Sequence, residues 1–166
     1  GLLHEVFTGQ ISTESIPDPF LPQDPQGEVT EWRLGDGTSY IHDIAVHPNG
    51  KTYGVDMSLD LLYELDPASG KIESYPLPKS QWPLGGRFSG AFHPLGSINA
   101  YHGPHSLQIG PTGLIWTTNS LSGEIQSFDP ETKAFKQYVI RKGVYPHTLR
   151  FDSKGRIWFT MALSNQ

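Results

Sequence analysis

The sequence predicts an all-β chain, a β-propeller of four-stranded blades, and three observations carry that prediction. The chain repeats itself with a period of about 42 residues. Each period reads as four short strands separated by turns. The 18 glycines and 14 prolines suit so many turns, and no apolar pattern of helical spacing runs through the chain.

The repeat is plainest between "PHSLQIGPTGLIWTTN", from Pro104, and "PHTLRFDSKGRIWFTM", from Pro146. At an offset of 42, Pro104, His105, Leu107, Gly113, Ile115, Trp116 and Thr118 match Pro146, His147, Leu149, Gly155, Ile157, Trp158 and Thr160. At an offset of 63, His42, Pro48, Gly50, Asp66, Pro67 and Tyr75 match His105, Pro111, Gly113, Asp129, Pro130 and Tyr138. The extra 21 residues fall in an insertion over 79–103.

Within one period "HSLQIG" alternates and ends at "PTG", "LIWTTN" follows, and "EIQSFDP" and "AFKQYVI" complete the unit. Outermost strands are also expected at "KIESYPL" and, earlier, at "EVTEWRL". Four antiparallel strands in about 40 to 45 residues is the blade unit of a propeller, and a blade must stack on neighbours to bury its faces. Residues 27–166 are therefore expected to hold two nearly complete blades with partial blades at either side. Residues 1–26, with four prolines between Gln10 and Gln26, read as an irregular lead segment. Because propellers close with about four to eight blades, the remaining blades are expected from a longer parent or from other chains. The opening "GLLHEVF" shows no signal peptide, so either one has been removed or the sequence is an internal piece.

Bulk composition excludes several classes. A net charge of −5 with 12 dispersed Lys and Arg residues argues against a nucleic-acid partner. No apolar run approaches the roughly 20 residues of a membrane span. Without cysteine there is neither a disulfide framework nor thiol chemistry.

"PHSLQIGPTGLIWTTN…GEIQSFDPETKAFKQY" resembles the repeats of the virginiamycin B lyase family, the streptogramin lyases, over about residues 27–166. The resemblance implies a seven-bladed propeller. It also implies an enzyme that opens an ester-linked cyclic small molecule by elimination, assisted by a divalent metal, Mg²⁺. Such chemistry needs a base for the proton α to a carbonyl and a cation for the developing enolate. The resemblance places these roles on histidines opening innermost strands and on a glutamate after W-F-T on the second strand. His105 and His147 match the histidine frame and are the catalytic candidates, as His42 matches it in "YIHDIAV". The glutamate position holds Asn119, Met161 and, in the blade of His42, Asp56; Asn119 and Met161 cannot act as general bases.

A histidine and the residue 14 positions later should lie near each other, because the second strand returns to the face from which the first descends. His42, Asp56 and Asn119, with Arg87 and His102 of the insertion, are thus the substrate-binding or channel-lining candidates. A bland reading stands beside this: innermost-strand histidines can simply bond backbone groups. His47 in "HPNG" reads as a solvated turn residue, Trp116 and Trp158 as blade-stacking core, and Asp66-Pro67 and Asp129-Pro130 as turn initiators. The insertion, with Trp82, Arg87, Phe88, Phe92, His93 and His102, reads as a lid or contact surface on the face of His105. Two further functions stay open: a calcium-dependent lactonase supported by Asp56 and Asn119, and a non-catalytic binding or assembly propeller. A periplasmic or secreted location is expected over a cytoplasmic one.

Overall fold

The computed structural model describes Gly27 and residues 29–89 and 100–164. Two compact units are distinguished, residues 1–31 and 32–166. The few described residues of the first contain no helix or strand.

Strands in the second unit form where apolar and β-branched residues alternate between glycine turns. Four make the first blade: β1 (Ile41–Val46), β2 (Thr52–Asp56), β3 (Leu61–Asp66) and β4 (Lys71–Pro76). The second blade is β5 (Pro104–Ile109), β6 (Ile115–Asn119), β7 (Glu124–Phe128) and β8 (Phe135–Val139). A pair, β9 (Pro146–Phe151) and β10 (Ile157–Met161), forms the third sheet. In each four-stranded sheet, neighbours in sequence are antiparallel neighbours in space, as the repeat predicts. Turn glycines take the left-handed φ that the connections require: Gly50 at +86°, Gly113 at +83° and Gly155 at +74° occupy one repeat position.

The core lies between the first two blades. Tyr53 and Val55 of β2, Leu62 of β3 and Leu77 face Leu107, Ile115 and Phe128 of the second blade, all buried. Burial of such side chains contributes about 1.5–3 kcal/mol each. A smaller cluster of Met57, Ala100, Leu121 and Tyr145, with Phe88 against it, seals the histidine-bearing ends of the strands. Between the blades Glu64, 2% exposed, holds Lys133 at 2.6 Å, the Lys51 ammonium and the Tyr53 hydroxyl at 2.9 Å. Burial pushes the Glu64 carboxyl up, but hydrogen bonds from Lys133, Lys51 and Tyr53 outweigh it and hold the group below its usual range.

Three expectations are corrected. No strand forms over Val29–Leu34 of "EVTEWRL". Instead Leu34 lies near the sheet, its side chain 3.4 Å from where a β-carbon at Gly54 would stand. His47 is not a solvated turn residue but is 9% exposed. The Asn49 N–H donates to its Nδ1 at 3.1 Å, so Nε2–H donates to the Gly113 carbonyl at 2.8 Å, linking equivalent turns of two blades. Trp116 is half-buried and stacks on the exposed Tyr138 at 5.5 Å between ring centroids, and Trp158 is 60% exposed, so neither belongs to the core. The Trp158 indole N–H lies 2.9 Å from Asp152, which it and the Arg156 backbone N–H hold down to about 2.

Candidate functional site

The innermost strands β1, β5 and β9 each carry a histidine as second residue, and blade stacking aligns the three rings into a column. Ring centroids are 3.7 Å apart for His42 and His105, and 3.8 Å for His105 and His147. His105, in the middle, is 7% exposed, while His42 at one end is exposed. Burial, then the neighbouring His42 and His147 rings, push the His105 imidazole down to about 3. Burial, then His42, lowers His147 as well.

The column is tied to the backbone differently at its two steps. Between β1 and β5, the Leu107 N–H donates to Asp43 Oδ2 at 2.8 Å, and His42 Nδ1 donates to the His105 carbonyl at 2.9 Å. One repeat later the Leu149 N–H donates to Ser106 Oγ at 3.3 Å, but the Thr118 hydroxyl donates to the His147 carbonyl at 2.5 Å. The first blade has Val55 where the second has Thr118. Lacking that hydroxyl, it uses the histidine itself to satisfy the carbonyl. A carbonyl only accepts, so the neutral His42 ring carries its proton on Nδ1 and a lone pair on Nε2. Among the described residues, nothing else hydrogen-bonds to that ring.

The strand register agrees with the expected pairing of positions: Ile41 faces Asp56, Pro104 faces Asn119, and Pro146 faces Met161. What it does not place is a set of free polar groups, so the channel-lining expectation for Asp56 and Asn119 is corrected. Asp56 is fully buried, and its Oδ1 accepts from the backbone N–H groups of Tyr40, Ser58 and Leu59 at 2.9 to 3.1 Å. Asn119 is equally buried, accepting from Thr117 Oγ1 at 3.2 Å and donating to Gln126 Oε1 at 3.3 Å. Met161 is 4% exposed.

His102 and Arg87 are also structural ties. His102, 1% exposed, donates from Nε2 to the Pro78 carbonyl at 2.7 Å and sets Nδ1 against Ser122 and Glu124. Burial lowers this imidazole, but Glu124 and the Pro78 carbonyl outweigh it, so the net shift is upward. Arg87 donates to the carbonyls of Ile140 at 2.7 Å and Gly143 at 3.4 Å, crossing Gly123 to clamp the segment between β8 and β9.

The described parts of the insertion are therefore anchored rather than free as a lid. A 3-10 turn at Gly86–Phe88 sits on Leu121, whose carbonyl accepts from the Arg87 N–H at 2.8 Å. Asp60 takes the N–H groups of Tyr101, His102 and Gly103. Phe92 and His93 lie outside the described residues. Beside this stem, Leu59, Trp82, Tyr101 and Lys79 border a cavity of about 410 Å³.

The column does not fit Mg²⁺. A hard cation takes oxygen ligands, and the oxygen atoms of Asp56 and Asn119 are committed within their own blades. The imidazoles are tilted by 41° and 43° to one another, and no group of three or more His, Asp or Glu side chains converges among the described residues. The roles of Tyr145, Asp43, Thr118 and Glu64 escaped sequence reading. Only the repeat comparison of Thr118 with Val55 held a usable signal.

Known structures share this architecture. Virginiamycin B lyase from Staphylococcus aureus matches with a TM-score of 0.65 at 19% identity, over 83% of this chain and 40% of that one. Hydrazine synthase from Kuenenia stuttgartiensis gives 0.53 at 12% identity, over 81% and 32%. The WD40 propeller domain of Doa1 gives 0.51 at 12% identity, over 73% and 33%. The chain spans two fifths or less of these structures. No protein-family model and no curated protein sequence matches it. At these identities the likeness carries the fold alone, and the chain is a β-propeller.

Proposed function

We propose that this chain contributes the histidine face of a streptogramin-lyase-like propeller that opens an ester-linked or cyclic small molecule by elimination, with His42 as the base. The observation that supports this reading is the His42 tautomer. Its Nδ1–H is spent on the His105 carbonyl, which leaves the Nε2 lone pair on an exposed ring. A base held by a second hydrogen bond is the arrangement proton abstraction requires. His42 Nε2 would take the proton α to a carbonyl, the C–H electron pair would form the C=C bond, and the ester oxygen would leave as carboxylate. No water is consumed. His105, pushed down to about 3 by burial and its neighbours, is too weak a base for this step and serves as the stacking floor. The remaining blades of the propeller, in the same protein or in other chains, would supply the groups that stabilise the enolate.

The experiment is product analysis in H₂¹⁸O with a model depsipeptide ester. Elimination gives an unsaturated product without ¹⁸O, and His42→Gln lowers the rate at least about 100-fold, the size of a general-base contribution. Uptake of ¹⁸O, or an unchanged rate in H42Q, would overturn the assignment.

A second reading is supported by a separate observation. Asp56, Asn119 and Met161 are all buried, so none of these three equivalent positions offers a free carboxylate to the column. This favours a non-catalytic propeller that binds its ligand, or an assembly partner, at the same histidines. Saturable ligand binding with no turnover would select it. The lactonase reading loses its local support, because it depended on Asp56 and Asn119.

A further inference from the structure

The residue before each Pro-His pair sets the entry into the innermost strand. In the second blade it is Gly103, at φ +57°. In the third it is Tyr145, at φ +64°, a left-handed backbone that glycine adopts freely and tyrosine does not. A tyrosine held there costs of order 1–3 kcal/mol and persists only where its surroundings over-determine it. Those surroundings are aromatic on two sides. The ring, 6% exposed, lies 6.3 Å from His105 and 6.2 Å from His147, centroid to centroid. On the other side Phe88 meets it edge-on at 5.8 Å, from the 3-10 turn of the insertion. The Tyr145 carbonyl also accepts from the Ala162 N–H at 3.0 Å, so its backbone is fixed independently of its ring.

We infer that Tyr145 is a positioning residue that covers the His105 and His147 rings and couples them to the Gly86–Phe88 turn of the insertion. Glycine would give the same backbone without strain, as Gly103 does one blade earlier, so the ring is what the position retains. The low proton affinity of His105 has burial as its largest cause, and the Tyr145 ring lies against that buried imidazole. The coupling does not depend on the elimination chemistry proposed above. It holds equally for a propeller that only binds.

The test reads the histidines directly, by NMR titration of the imidazole C–H signals in wild type, Tyr145→Phe, Tyr145→Gly and Phe88→Ala. Y145F is expected to titrate like wild type. Y145G is expected to let His105 take up its proton at least about one pH unit higher, a tenfold gain in affinity. F88A, which removes the edge-on partner of the Tyr145 ring, is expected to move His105 the same way by a smaller amount. A purely structural role would change unfolding midpoints and leave these titrations in place. Should Y145G fail to fold, F88A alone decides. An unmoved His105 in folded Y145G or F88A, or a Y145F shift as large as that of Y145G, would overturn the inference.

Discussion

His42 and His105 hold one repeat position yet are bonded differently, and the cause is a residue 13 places after each. Val55 offers the His105 carbonyl nothing, so His42 Nδ1 supplies the hydrogen bond, whereas Thr118 supplies it for the His147 carbonyl in place of the His105 ring. Val55→Thr should therefore release His42. The new hydroxyl takes the carbonyl, and the His42 proton moves to Nε2, the commoner tautomer of free imidazole. A ¹⁵N chemical-shift measurement of the ring checks this, and an unchanged Nδ1–H signal would contradict it. A second prediction concerns pH. His105 titrates at about 3 in the fold against about 6.5 unfolded, so between those values the unfolded chain binds more protons. Stability should fall as pH drops through that window, by up to about 1.4 kcal/mol per pH unit. His102 has the opposite sign. Its raised folded value stabilises fully below about 6.5, and that contribution is lost as pH rises through it. Urea unfolding across pH 4 to 9 should show a maximum near 6.5, with His105→Gln flattening the acid limb and His102→Gln the alkaline one. Much at this scale was not legible beforehand. The frame of the three histidines is local in sequence, but the partner of His47 is 66 residues away and exists only once blades stack. Asp56 precedes a turn, and its capping of Ser58 and Leu59 is a local signal that the search for a catalytic carboxylate passed over.

Strands were the most legible elements, because period-two alternation between glycine turns is local. "KIESYPL" and "AFKQYVI" became β4 and β8 within a residue or two at each end. "EVTEWRL" alternates equally well and formed no strand over its described residues, so alternation alone does not decide pairing. The insertion was harder to read. Its aromatic and basic composition suggested a lid or a contact surface, while Arg87, His102 and Gly86 tie its described parts down through contacts made across the fold. Gly86 shows how tightly. At φ +61°, a β-carbon there would sit 2.3 Å from the Leu121 carbonyl oxygen. Gly86→Ala should destabilise the chain by more than the 1–3 kcal/mol of backbone strain alone. Thermal unfolding checks this, and a midpoint within error of wild type would show that the turn is not packed on Leu121. Phe128→Ala, emptying the space between Tyr53, Tyr75 and Phe135, should cost about 3–5 kcal/mol by the same measurement.

Across the whole molecule, the proposed function depends on stacking rather than on any one blade. Each blade contributes one imidazole, the connection before the next innermost strand sets its entry, and a column forms only when three blades align. The fold was therefore readable from the period. The site was not, because the difference between a free and a committed side chain depends on what the neighbouring blade presents. The central claim is that this alignment creates a base at His42. It is tested most directly by long-range ¹H–¹⁵N correlation of the histidine rings, combined with ring-to-ring nuclear Overhauser contacts. The account predicts contacts from His42 to His105 and from His105 to His147, with the neutral His42 ring protonated on Nδ1. A His42 ring protonated on Nε2, or histidines without mutual contacts, would contradict it.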